Sequence, residues 1–245
     1  MVARALAGRE AAVTIKPILE RAPRSAAAEA FRGLRTSLQF LGDKAQMFVV
    51  TSAGPGEGKS TTAANLAIAM AGVGKRVLLV DADLRRPSLH QMFGLGRVHG
   101  LSHVLVGQAG DEAIQEAEPE GLHVLTSGPV PPNPAELLDQ AGLDACLARW
   151  RQRYDHIIVD SPPVLAVTDP VILARKVKRA LVVVRAATTR DRSLQHACSL
   201  LREAGAEVLG TAFNDLPQGK GVEYGYSYAY YRSGSEDEGS QSHLL

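Results

Sequence analysis

TSAGPGEGKS, residues 51–60, follows directly on the apolar run MFVV at 47–50 and leads into TTAANLAIAMAGVG at 61–74. A buried strand, a glycine-rich turn and the start of a helix, in that order, make a cradle for nucleotide phosphates. Converging backbone N–H groups need residues free to take positive φ and to approach an anion without a Cβ, and Gly54, Gly56 and Gly58 supply that freedom. Lys59 is placed to reach the β/γ oxygens, Ser60 to ligate Mg²⁺, and the helix that follows presents its N-terminus to the charge. Gly54, Pro55, Gly56, Glu57, Gly58, Lys59, Ser60 and Thr61 are therefore the expected nucleotide-binding residues. One position departs from the usual pattern: Ala53 stands where the first glycine is normally found.

Around this loop the chain has the size of one α/β domain, 245 residues, with two loose ends. A net charge of +1 gives no electrostatic case for nucleic acid, which demands a basic face. Cys146 and Cys198 lie far apart and outside any C-x-x-C pair, which suits reduced thiols in a cytoplasm. His99 and His103 stand at helical spacing without a third ligand nearby, so no zinc site is expected. No run of about 18 apolar residues and no signal-peptide core occurs, so the expected location is cytoplasmic, with membrane attachment only through a partner.

Short Val/Ile-rich runs at 48–50, 77–80, 123–125, 156–159, 181–184 and 208–211 alternate with helical stretches at 61–71, 134–140, 143–153, 169–174 and 192–204. Continuous apolar runs mean strands buried on both faces, hence an α/β fold of three layers around a mostly parallel sheet. Residues 1–24 read as an extended or wrapped segment and 25–216 as the domain. The domain opens with a helix at 25–41, where Phe31, Leu34, Leu38 and Leu41 share one face and Glu29, Arg32 and Arg35 another. Residues 217–245 have almost no aliphatic side chains and read as a mobile tail.

A triphosphate site needs acids at neighbouring strand ends to organise Mg²⁺. VLLVDADLRRP at 77–87 ends a strand in Asp81 and Asp83, and HIIVDSPP at 156–163 ends another in Asp160. With the cradle, these motifs resemble the Walker A, A′ and B sequences of the bacterial tyrosine kinases, autokinases of exopolysaccharide and capsule assembly within the deviant-Walker P-loop ATPases. The likeness extends to the E-x-x-R-x-x-R helix, the GPVPPNPAELL segment at 128–138 and a tyrosine-rich tail, and so covers about residues 25–232. The partitioning and division-site ATPases of the same class usually carry a lysine where this chain has Gly54. That favours the kinase branch over an ATP-driven switch that recruits a membrane partner without kinase activity.

Five of the six tyrosines, Tyr224, Tyr226, Tyr228, Tyr230 and Tyr231, are spaced by Gly, Ser and Ala and followed by SEDE. They are the expected autophosphorylation sites, an aromatic edge strand being the alternative. Lying 10 to 17 residues beyond Asn214, they reach roughly 35–60 Å if extended, enough for a neighbouring subunit. The resemblance implies transfer in trans within a homo-oligomeric ring joined by Glu29, Arg32 and Arg35, and activation by a membrane protein of the polysaccharide co-polymerase type. It implies ATP and Mg²⁺ as cofactors, with Ser60, Asp81, Asp83 and Asp160 around the metal. A phenol with pKa near 10 needs a carboxylate to take its proton, and Asp83 or Asp81 is placed for that duty. Asn214 reads either as an adenine contact or as a turn residue.

Overall fold

A computed structural model describes residues 16–186 and 188–215. In chain order these form α1 (Ile18–Arg21), α2 (Ala26–Gln39), β1 (Met47–Ser52), α3 (Lys59–Ala71), β2 (Val77–Asp81), α4 (Leu89–Phe93) and α5 (Leu101–Leu105). There follow β3 (Gln115–Ala117), β4 (Leu122–Leu125), α6 (Pro134–Asp139), α7 (Ala141–Arg151), β5 (His156–Asp160), α8 (Asp169–Val177), β6 (Arg179–Arg185), α9 (Asp191–Glu203) and β7 (Glu207–Asn214). The sheet order is β3-β4-β2-β5-β1-β6-β7, and every pairing is parallel except that of β3 with β4. The expected three-layer α/β architecture is present.

Alternate residues of each central strand enter opposite layers, which is why the strands read as unbroken apolar runs. Phe48, Val50, Leu79 and Ile158 pack with Leu66, Ala67 and Met70 of α3 on one face. Met47, Val49, Leu78 and Ile157 pack with Leu147 and Trp150 of α7 on the other. Ser25 caps α2 by accepting the Ala28 N–H at 3.2 Å.

Three expectations need correction. The stretch before residue 25 is not simply extended: Ile18–Arg21 forms a helical turn, docked where the Leu19 N–H donates to the buried Asn65 side chain of α3 at 3.0 Å. An edge strand, β3, lies outside the apolar runs; Gln115 and Ala117 are half-buried and Glu116 exposed, so pairing with β4 rather than an apolar pattern sets it. On α2, Arg32 and Arg35 are both half-buried rather than on a solvated face, and the Arg35 guanidinium donates to the carbonyl of Ala69 near the end of α3 at 3.2 Å. Glu29 and Arg32 pair with each other at 2.8 Å, and Arg32 also holds the Pro23 carbonyl at 2.7 Å. The tail tyrosines and residues 1–15 lie outside the described residues.

Candidate active site

The register of three parallel strands assembles the site. Asp160, ending β5, pairs in register with Val50 of β1 on one side and Asp81, ending β2, on the other. The 53–58 loop leaves β1 at the same edge, so the phosphate cradle and two acids open into one crevice at the carboxyl ends of the strands.

Within the loop, Gly56 and Gly58 have φ of +74° and +92°. Gly58 is required twice over, because a Cβ there would lie 2.1 Å from Nδ2 of Asn214. That amide donates to the Glu57 carbonyl at 3.1 Å, so Asn214, the last residue of β7, fastens the loop from behind. The Glu57 carboxylate is itself buried and accepts from Thr189 Oγ1 at 2.7 Å, while Ser52 Oγ donates to the Gly54 carbonyl at 2.8 Å. The 13-residue α3 starts at Lys59, aiming its free N–H groups at the crevice.

The acids differ in what holds them. Asp81 Oδ2 accepts the N–H groups of Ser88 and Leu89 at 3.2 and 3.1 Å, leaving Oδ1 buried without a partner. Asp83 Oδ1 accepts from the Arg85 and Arg86 backbones at 3.3 and 2.9 Å, and its Oδ2 lies 3.0 Å from the Lys59 ammonium. Asp160 is fully buried, and neither oxygen has a well-formed hydrogen bond. Burial, then the charge of Asp160, pushes the Asp81 carboxyl up to about 8. Burial likewise pushes Asp160 up to about 6, against the downward pull of Lys59 and the Ser60 hydroxyl. For Lys59, burial works against the charge, but Asp160, Asp83 and Asp81 outweigh it and hold the ammonium above its ordinary pKa.

Buried carboxylate oxygens without donors are costly unless something cationic meets them. Asp160, Oδ1 of Asp81 and the buried Ser60 beside them fit a divalent cation, and the adjacent N-terminus of α3 with Lys59 fits its polyphosphate partner. The structure thus brings together Gly54 to Thr61, Asn214, Asp81, Asp83 and Asp160. Two residues not singled out from sequence join them: Thr189, which holds Glu57, and Asp169, whose buried carboxylate takes both Nε and Nη2 of Arg85 at 2.8 and 2.9 Å. Asp169, nine residues past Asp160 and 84 from Arg85, carries no local motif.

Residues 45–189 match the family described as AAA_31, an AAA domain. Tyrosine-protein kinase YwqD of Bacillus subtilis (strain 168) is 42% identical over 212 residues, 83% of this chain and 87% of the relative. The chain belongs to the bacterial tyrosine kinases. Tyrosine-protein kinase etk of Escherichia coli (strain K12) is 36% identical over 207 residues, 83% of this chain but 28% of etk. The solved kinase domain of Escherichia coli ETK superposes with a TM-score of 0.80 at 34% identity, covering 85% of this chain and 83% of that one. The chimerical protein CapA2B2 gives 0.78 at 36% identity, covering 84% and 91%. Septum site-determining MinD of Pyrococcus horikoshii OT3, complexed with Mg-ADP, gives 0.62 at 26% identity, covering 71% and 72%. The bacterial tyrosine kinase reached from the motifs is thus borne out, as are its P-loop ATPase fold and its activity class, a protein-tyrosine kinase.

Proposed function

We propose that this kinase transfers the γ-phosphoryl group of ATP to its own tyrosines at 224, 226, 228, 230 and 231, on a neighbouring copy, and that this cycle governs exopolysaccharide or capsule synthesis and export. The observation that carries the chemistry is the convergence of the cradle, Lys59 and the orphaned Asp160 carboxylate at one edge of the sheet. Amides of Gly56 to Thr61 bind the phosphates, and Ser60, Asp160 and Asp81 would hold Mg²⁺, with Asp83 close by. When bound, Mg²⁺ neutralises phosphate charge and lowers the repulsion met by an incoming nucleophile.

Asp83 is the group we assign to the phenolic proton. Both of its oxygens are engaged in this structure, so Lys59 must leave Oδ2 before Asp83 accepts a proton. Phosphates in the cradle offer the ammonium a stronger counter-charge, which ties acceptor activation to the presence of donor. Asn214, whose amide holds the Glu57 carbonyl of the loop, is the residue we assign to contact adenine.

Glu29 is exposed and Arg32 half-buried, and together they form our proposed ring contact, exchanging their mutual ion pair for one between subunits; Arg35 supports it by seating α2 on α3. No helix among the described residues is long and apolar enough to cross a membrane. A membrane activator of the co-polymerase type is the partner we assign for recruitment. Each phosphotyrosine adds about −1.5 to −2 charges, and five beside SEDE add roughly −7 to −10, which drives tails away from the acids and opens the ring.

Incubation with Mg-ATP followed by phosphosite mapping tests the reading: phosphate on residues 224–231 supports it. Absence of phosphotyrosine, with and without host membranes, rejects it. Light scattering tests the ring, since the phosphorylated form is expected to be smaller and equal masses would sink the charge-driven cycle.

A further inference from the structure

We infer that the Arg85–Asp169 ion pair is a positioning strut of the phosphoryl-transfer site, fixing the acid-bearing end of β2 against the frame formed by β5 and β1. The inference rests on the tyrosine-transfer reading above and adds two residues to it.

One end of the strut lies in the turn that carries the acids. Residues 83–89 fold back over their own carboxylates: Asp83 Oδ1 takes the N–H groups of Arg85 and Arg86, and Asp81 Oδ2 takes those of Ser88 and Leu89. Moving Arg85 therefore moves the backbone that aims Asp83.

The other end is anchored on β1, the strand that leads into the nucleotide loop. Between Asp160 and Asp169 the chain is pinned to β1, with Ser161 N on the Val50 carbonyl at 3.1 Å and Val164 N on the Ser52 carbonyl at 2.8 Å. Thr51 Oγ1 donates to the Pro162 carbonyl at 2.8 Å in the same stretch. Asp169 then opens α8 with its carboxylate wholly buried, both oxygens taken by the fork of a half-exposed Arg85. A bidentate guanidinium–carboxylate pair fixes orientation as well as distance, which an ammonium does not. Loss of the strut leaves the cradle intact and lets the β2 acids drift relative to Asp160, so nucleotide binding survives while metal alignment and transfer suffer.

The test uses the full chain with Mg-ATP and a peptide of residues 222–232 as acceptor, comparing wild type, Arg85→Lys and Asp169→Asn. We expect kcat to fall about tenfold or more, KM for ATP to stay within about threefold, and the Mg²⁺ concentration for half-maximal rate to rise about fivefold or more. The double variant should lose no more than the worse single one. A folded variant with wild-type kcat and Mg²⁺ requirement overturns the inference, as does a loss matched by the unfolded fraction alone. If one variant does not fold, the other decides. If neither folds, the pair is a folding element and the inference falls. A wild-type chain that phosphorylates no tyrosine, with or without host membranes, would instead reject the underlying reading.

Discussion

The Lys59 ammonium rests 3.0 Å from Oδ2 of Asp83, both side chains largely buried, so the residue placed to reach the β/γ oxygens is tied to an acid just past the end of β2. Lys59→Met is thus expected to abolish phosphoryl transfer and also to cost about 2 kcal/mol of nucleotide-free stability, because it strands a buried carboxylate among other acids. Urea denaturation checks this. Retained tyrosine phosphorylation in the variant would overturn the assignment of the site.

Asp83→Asn keeps the shape of the turn but cannot accept a phenolic proton. Its kcat should drop about 10²-fold or more while nucleotide affinity changes only a few-fold. Single-turnover phosphorylation alongside fluorescent-nucleotide titration separates the two, and an equal fall in both would make Asp83 purely structural.

Asp160 gives a prediction with a sign. An unfolded aspartate titrates near about 3.9, whereas burial raises the folded one to about 6. Across that window the folded chain keeps a proton that the unfolded chain has lost, so raising pH removes stability, and the penalty is complete above the folded value. Asp81, raised to about 8, acts in the same direction to higher pH. Asp160→Asn should therefore stabilise the nucleotide-free protein at pH 8 by about 1–3 kcal/mol, and by less at pH 5, while destroying metal-dependent transfer. Thermal melts at the two pH values decide it, and an unstable Asn variant at pH 8 would contradict the assigned penalty.

Gly58→Ala combines a left-handed φ with a collision at the Asn214 amide. About 1–3 kcal/mol of destabilisation is expected, with nucleotide affinity down about tenfold or more. Calorimetric titration and a melting curve measure both, and wild-type affinity would show that the loop relaxes without Asn214.

Much of the crevice is legible from short signals. The 51–60 loop, Asp81 and Asp160 each end an apolar run, and the parallel register carries them to one edge. What escapes the sequence is of two kinds. Helices α4 and α5, five residues each, and the three-residue β3 are too short to show a period, and packing alone specifies them. The contacts Lys59–Asp83, Thr189–Glu57 and Arg85–Asp169 join residues 24 to 132 positions apart, which no local pattern encodes. The contact of Arg35 with the Ala69 carbonyl is of the same kind, since nothing in the spacing of α2 names its partner on α3.

The buried carboxyls of Asp81 and Asp160, ending β2 and β5, also have a calorimetric signature. Near neutral pH they are partly protonated, and a divalent cation takes them only as carboxylates, so binding of Mg-nucleotide must release protons to the medium. The heat observed on binding then contains the buffer's own ionisation enthalpy: titrations in Tris and in phosphate at the same pH should differ, and the slope against that enthalpy counts the protons that leave as the site fills.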